Sequence, residues 1–489
     1  MNKLKYMFLM VLAMIFGLSL TACSDDDNDA PRFKVLNPEM EFEGTGGTQI
    51  LNVFSDAQPT ATVTEGADWC SVAYQDMSNG TYNFAITVAP NQSEEVTTAT
   101  IRVVSGYSRK DVVVKRDKKT VVIPDAGMEH NAKELAGMMT AGINIGNTME
   151  CPNGEGDWSG VKVNEAYIRG LKAAGFNAVR IPCAWASHFS DAQNYIISTE
   201  WLDRVKQVVS WCVANDMYVV LNAHWDGGWL EDHIFDASKE ADIIKEQKAI
   251  WQQVATKMNS FDEHLLFAAC NEPGMNETSS GGKTWNAEAA ARVVKYEQAM
   301  IDVVRATGGN NAVRTIVVQG LGTSIASTDA NMTNLPTDNV EGRMMVEVHF
   351  YEPYQFCLME QDANWGKMFY YWGAANKVEG SDRNTPDNQA EAWVDSQMAK
   401  MKAKYVDQGI PVILGEYSAM FRNVENQAKH DASVCYYGEY VTRVAKNNGC
   451  VPFYWETGTV INRNDGTVKK QNVVDALIKG ANEGNYPWK

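Results

Sequence analysis

The sequence has no basic block. Its 489 residues carry 43 Lys and Arg against 61 Asp and Glu, a formal charge of -18, and no Arg-rich helix interrupts that acidity. A surface that neutralises phosphates needs the opposite balance, so nucleic acid is excluded as an expected partner. The nine cysteines include no C-x-x-C pair, which argues against a zinc centre. Histidine is scarce, seven in all, and no two stand at H-x-H or H-x-x-x-H spacing. A metal-dependent hydrolase usually takes its first ligands from such a pair, so no metal and no other cofactor is expected. Long apolar runs are also missing: the longest, MFLMVLAMIFGLSL at residues 7–20, falls short of the roughly 20 residues that span a bilayer.

That short run follows Lys3 and Lys5 and precedes small residues and Cys23, the layout of a secretion signal over residues 1–22. LTAC, residues 20–23, resembles the lipobox of bacterial lipoproteins. The resemblance implies that Cys23 is diacylated and that the protein is held at the cell surface by a lipid anchor in the outer membrane. The following SDDDND makes residues 23–32 an acidic tether and resembles the surface-export signal of Bacteroidetes lipoproteins. Of the remaining cysteines, Cys183, Cys212, Cys270 and Cys450 lie in or beside apolar segments, where a free thiol behaves as a small hydrophobe. Export leaves oxidation of some pairs open, with no connectivity readable.

Residues 33–117 alternate apolar and polar positions in TQILNVFS, TYNFAITVAP, TATIRVVS and KDVVVKR, separated by Gly, Asn, Asp and Pro. Period two at that spacing predicts a small antiparallel, Ig-like sandwich. EGTGGTQI, GADWCSV and TVAPNQSEEVTTATIRV resemble the BACON domain of Bacteroidetes surface glycosidases. Trp69 within it is read as core rather than as a sugar platform, and the module as a spacer. Residues 118–127, with their charges and Pro124, form the expected linker.

From residue 128 to 489 the pattern changes. Eight apolar segments alternate with amphipathic helical stretches: residues 141–147, 177–182, 217–224, 265–272, 314–320, 344–351, 411–417 and 451–458. Trp201, Val205, Val208, Val209 and Cys212 mark one face of such a helix. Eight strands with helices between them predict an α/β (β/α)8 barrel, whose active site is assembled where the strands end. Each strand here ends in something polar or aromatic. Glu272 closes HLLFAACNE and Glu416 closes PVILGEY, and two converging carboxyls are the apparatus of glycoside hydrolysis. Residues two apart share a face of a strand. That rule puts Cys270 and Ala268 on the face of Glu272, and Leu414 and Val412 on the face of Glu416. It aims Asn147, Arg180, His224, His349, Tyr351 and Trp455 at the axis, with Glu347 as a third buried carboxylate in need of a partner or a proton. Fourteen Trp, 19 Tyr and 16 Phe would suit stacking on flat sugar faces.

GINIGNT, NAVRIP, LNAHW, NEP, VHFYEPY, ILGEY and FYWE resemble, in order, the strand-end motifs of glycoside hydrolase family 5, over about residues 128 to 487. GINIGNT and HFYEPYQF are most similar to its fourth subfamily, largely endoglucanases, lichenases and xyloglucanases. The resemblance implies Glu272 as general acid/base and Glu416 as nucleophile. Arg180 is then the cation that keeps Glu416 ionised, with Tyr351 as a hydrogen-bond donor to it. The same resemblance gives Asn271 the sugar 2-hydroxyl and Trp455 the stacking floor, with His224 and His349 lining the site. Trp225 stands where many relatives carry a second histidine. The long connection from Pro353 to Gly409 adds Trp365, Tyr371 and Trp372 as candidate sugar platforms, as do Trp225 and Trp229 near strand three. The implied activity is that of a retaining endo-β-1,4-glucanase on xyloglucan, mixed-linkage glucan or a related soluble β-glucan, acting as a monomer. The alternative on the same scaffold is an endo-β-mannanase or glucomannanase. A non-catalytic glycan-binding lipoprotein would require the loss of a catalytic glutamate, and both are present.

Overall fold

The computed structural model describes residues 32–118 and 127–488, apart from residues 43, 45, 79, 92 and 94. The signal over 1–22, Cys23, nearly all of the tether and most of the linker lie outside the described residues. The chain divides into two compact units at Lys118, each with its own hydrophobic core.

In the first unit, alternation along the strands gives two four-stranded sheets. One is ordered Phe33–Val35, Gly47–Ser55, Thr81–Val88, Cys70–Ser78, and the other Glu39–Phe42, Ser108–Arg116, Thr97–Ser105, Thr60–Glu65. Their inward residues, among them Leu51, Val53, Ile86, Ile101, Val103 and Val112, are fully buried between the sheets. The sandwich is not wholly antiparallel as expected: Glu39–Phe42 runs parallel to Ser108–Arg116. Pro38, which cannot donate to a ladder, separates it from Phe33–Val35, and the chain crosses there from one sheet edge to the other. Trp69 is half-buried against this core, with the Arg116 guanidinium 4.1 Å from its ring centroid.

In the second unit all eight predicted segments become the strands of one closed parallel barrel. In chain order they are Gly142–Asn144, Ala178–Ile181, Tyr218–Asn222, Leu265–Ala268, Ile316–Ser324, Met344–Phe350, Val412–Tyr417 and Cys450–Tyr454, and the eighth pairs with the first. The helices form for local reasons. Thr199–Ala214 starts where the Ser198 hydroxyl accepts the Trp201 N–H, and it buries the predicted stripe from Trp201 to Cys212. Alternate strand residues fill the interior: Ala178, Val220, Leu266, Val317, Met345 and Phe453 pack with Leu135 of the short helix Ala132–Met138. The opposite parity, such as Val179, Val219 and Phe267, belongs to the core beneath the surrounding helices. All eight cysteines of the described residues are free thiols, and all but Cys435 are buried.

Strand seven corrects the parity reading. Val412 and Leu414 face the outer helices, whereas Ile413 faces the barrel interior. The pairing with strand six steps from Val348–Leu414 to His349–Glu416, so Gly415 is an extra residue. This bulge changes the phase of the strand and turns Glu416 inward.

The connection from Pro353 to Gly409 also folds differently from expectation. Trp372, a predicted substrate platform, is fully buried, and its ring centroid lies 5.5, 5.1 and 5.8 Å from those of Tyr436, Tyr437 and Tyr440. Those tyrosines share one side of helix Gln427–Asn447, a more complete aromatic environment than a cleft wall offers. Tyr371 is buried as well, while Trp365 stays 67% exposed. Replacing Trp372 with Ala should therefore cost about 3–5 kcal/mol of stability in denaturant unfolding, with turnover per folded molecule unchanged. A loss of substrate binding without a loss of stability would return Trp372 to the cleft.

Candidate active site

The barrel mouth is organised around a cation. Arg180 projects from strand two into the interior and is completely buried. Its Nη1 donates to Glu416 Oε1 at 2.8 Å and to Asn144 Oδ1 at 3.1 Å. Nη2 donates to Asn271 Oδ1 at 2.8 Å, and Nε forms an ion pair with Glu347 Oε1 at 2.7 Å. One planar fork thus fixes groups from strands one, four, six and seven.

Glu416 also accepts the Tyr351 hydroxyl proton at 2.8 Å. Burial pushes its carboxyl above the ordinary range, with the charges of His349 and Arg180 pulling the other way. Burial likewise lifts the Tyr351 phenol well up, so it remains a donor. His349 Nδ1 lies 2.8 Å from Glu272 Oε1, and its Nε2 lies 3.3 Å from Glu347 Oε1. Burial alone would pull this imidazole down, but the surrounding Glu416, Glu272 and Glu347 carboxylates outweigh it and raise it to about 9. Those carboxylates favour the charged imidazolium, while Arg180 Nη2 stands 3.5 Å from Nε2 on the other side. His224 is the opposite case: burial, and then the Arg180 and His349 charges, drive it well below the usual histidine value and keep it neutral. Its Nδ1 sits 3.1 Å from Asn222 Nδ2.

Glu272 leaves strand four on a backbone held from below. The N–H groups of Asn271 and Glu272 both donate to Glu231 Oε1, at 2.7 and 2.9 Å. Burial, reinforced by the Glu272 charge, pushes Glu231 up to about 8. One carboxylate oxygen each from Glu272 and Glu416, with a nitrogen of His349, lie within 4.8 Å of one another. Carboxyl groups about 5–5.5 Å apart suit direct attack on a sugar carbon, whereas separations of roughly 6.5–9.5 Å leave room for a water.

Above these groups a cleft of about 610 Å³ is lined by Glu272, Glu416, His349, Tyr351, Trp455 and neighbours that include Tyr354 and Leu358. A second cleft of about 500 Å³ meets it at Trp455 and Leu358 and has Asn147 in its wall. The Trp455 ring packs so closely over Gly146 that a Cβ there would stand 2.7 Å from it. Asn147 adopts a left-handed backbone, φ 57°, and donates its N–H to the buried Glu150.

The structure thus gathers Glu272, Glu416, His349, Tyr351 and Trp455 at one cleft, with Arg180 and Asn271 beneath it, His224 beside Trp455 and Asn147 next door. Trp225 is not in either wall: it is half-buried and gives its indole N–H to Asp232 at 3.1 Å. Trp229 packs against the core. Asn147 is off the inward parity of strand one, whose inward polar residue is Asn144, donating to the Gly415, Phe453 and Tyr454 carbonyls. Sequence reasoning overlooked Asn144, Glu231 and Gln319. Asn144 and Gln319 were legible as polar residues in apolar strands, while Glu231 carried no signal until folding placed it under the site.

The chain matches the model of the cellulase family, glycosyl hydrolase family 5, over residues 136–459. It is 30% identical over 462 residues to a xyloglucan-specific endo-beta-1,4-glucanase of Bacteroides ovatus, covering 89% of this chain and 88% of that protein. Among solved structures, a B. ovatus family 5 xyloglucanase in complex with a XXXG heptasaccharide superposes with a TM-score of 0.67 at 30% identity, over 92% of this chain and 100% of the other. A xyloglucan-specific β-1,4-glucanase from a ruminal metagenomic library, in complex with XXLG, gives 0.68 at 38% identity, over 74% and 98%. A closed eight-stranded barrel with two carboxylates at its mouth, matched over most of its length by these enzymes, is a glycoside hydrolase, and the chain belongs to glycosyl hydrolase family 5.

Proposed function

We propose that the protein is a retaining endo-β-1,4-glucanase that cleaves internal linkages of xyloglucan or a closely related soluble β-glucan. The short separation of the Glu272 and Glu416 oxygens, within 4.8 Å, carries this reading. Glu416, paired with Arg180, attacks the anomeric carbon as Glu272 gives its proton to the departing glycosidic oxygen. A covalent glycosyl-enzyme forms. Glu272, now a carboxylate, takes a proton from water, whose oxygen attacks the same carbon and releases Glu416 with retained configuration. His349 holds Glu272 in place throughout, and Asn271, fixed by Arg180, stands ready for the sugar 2-hydroxyl.

Two clefts that meet at Trp455 favour a branched chain over a bare one, in keeping with the xyloglucan fragments bound by the similar enzymes. Tyr354, 47% exposed in the cleft wall, has its ring centroid 6.0 Å from that of the exposed Trp365. Together they extend an aromatic surface from the cleft for polymer contact. The sandwich acts as a BACON-like spacer, and Cys23 carries the lipid that anchors the enzyme to the outer membrane.

Glu416→Ala should abolish turnover of every substrate, by on the order of 10⁴-fold or more, and should trap no fluorosugar. Glu272→Ala should spare bond cleavage in aryl glycosides with good leaving groups. Equal loss of that first step in both variants would reverse the assignment. Because burial holds Glu416 above the ordinary 4.5, the acid limb of kcat/KM should lie above pH 4.5, activity being lost as the pH falls through it.

Trp365→Ala should raise KM for polymeric xyloglucan roughly three- to tenfold with aryl cellobioside hydrolysis unchanged. Product sizes from xyloglucan, barley glucan, carboxymethylcellulose and galactomannan test the substrate, with galactomannan preference as the contrary outcome.

Deleting residues 24–120 should leave soluble-polymer turnover unchanged, and Cys23→Ala should move the full chain from the detergent to the aqueous phase. Retardation of the isolated sandwich in xyloglucan gels would instead make it a binding module.

A further inference from the structure

Glu347 is the carboxylate that the reaction leaves unused. It projects into the barrel from strand six with no exposure to solvent, below the cleft and out of reach of a polymer. Its oxygens are nonetheless committed. Oε1 pairs with Arg180 Nε at 2.7 Å and lies 3.3 Å from His349 Nε2, and Oε2 accepts from Gln319 Nε2 at 2.7 Å. Space for it is made by the bulge in strand seven. A Cβ on Gly415 would stand 1.9 Å from Glu347 Oε1, so any other residue there would displace the carboxylate.

We propose that Glu347 is a positioning residue of the hydrolytic reaction: a buried anion that aims Arg180 at Glu416 and holds His349 as a charged donor to Glu272. The inference rests on the double-displacement reading only for the roles of Glu272 and Glu416. Charge balance explains why a third carboxylate is there. When Glu272 carries the proton it must donate, Glu416 and Glu347 remain as two anions against two cations, Arg180 and His349, and the cluster is neutral. With Glu347 absent, one anion would face both cations, and His349 would shed its proton.

The titratable groups facing this pair are Arg180, His224, Cys270, Glu272, Tyr351 and Glu416. Behind Gln319 stands Glu297, which accepts the Gln319 N–H at 2.6 Å and whose carboxyl burial pushes well above the ordinary range. Burial pushes Glu347 up too, yet Arg180, His349 and Gln319 outweigh burial and hold it below the usual carboxylate range.

Glu347→Gln keeps the shape and removes the charge. It should lower kcat/KM on an aryl cellobioside roughly tenfold and move the alkaline limb of the pH profile to lower pH by about 1–3 units, since loss of a nearby anion weakens proton binding. A variant whose rate falls while its alkaline limb stays in place would reduce Glu347 to a packing role and overturn the proposal. Nitrogen-15 histidine spectra supply a second test that needs neither substrate nor the Glu347 variant. In the unsubstituted full chain the His349 ring, assigned by its disappearance in His349→Asn, should be an imidazolium at pH 7. A neutral ring would refute the proposal even if Glu347→Gln did not fold, and would leave the assignment of Glu272 and Glu416 untouched.

Discussion

A buried guanidinium is costly unless every edge of it is met, and the barrel mouth is built to meet those of Arg180. Taking such an ion out of water costs several kcal/mol, and removing one member of a buried pair typically costs about 3–5 kcal/mol. Glu416 and Glu347 bracket it with opposite charge, Asn144 and Asn271 each accept one further proton, and the second Nη2 proton faces the His349 ring. Because those four partners come from four strands, closing the barrel and neutralising Arg180 are the same event. The position of Glu416 follows from it, and so does the side-chain orientation of Asn271 beside Glu272.

Glycine makes this geometry possible at two places. Gly415 inserts the extra residue that rotates Glu416 inward, and its missing Cβ is the space that the Glu347 carboxylate occupies. Gly146 lets the Trp455 ring lie against the backbone after strand one. Neither glycine has a left-handed backbone; each is required by close approach. Around them the environments pull in opposite directions: the carboxylates favour a charged His349, while burial favours a neutral His224 and a protonated Tyr351. Such contrast within a few ångströms is what a site needs in order to hold one carboxyl as a base and deliver a proton from another.

The amino-acid pattern alone specifies the barrel, since eight apolar segments at helical intervals with polar ends leave few other closed arrangements, and all eight are strands. It also determined which residues stand at the strand ends, because strand periodicity is local and Arg180, Glu272, His349 and Tyr351 obey it. Long-range contacts supply what periodicity cannot carry. Strand seven breaks its own phase at a bulge fixed by pairing with strand six, so Glu416 reaches the cleft although Leu414 and Val412 face outward. Trp372 reads as a platform in an aromatic loop, yet three tyrosines of a helix more than sixty residues later bury it. Glu231, Gln319 and Glu347 gain their roles only from the groups that folding brings against them. The charge and hydrogen bonding of a buried group depend on its neighbours in space, and those neighbours lie on other strands.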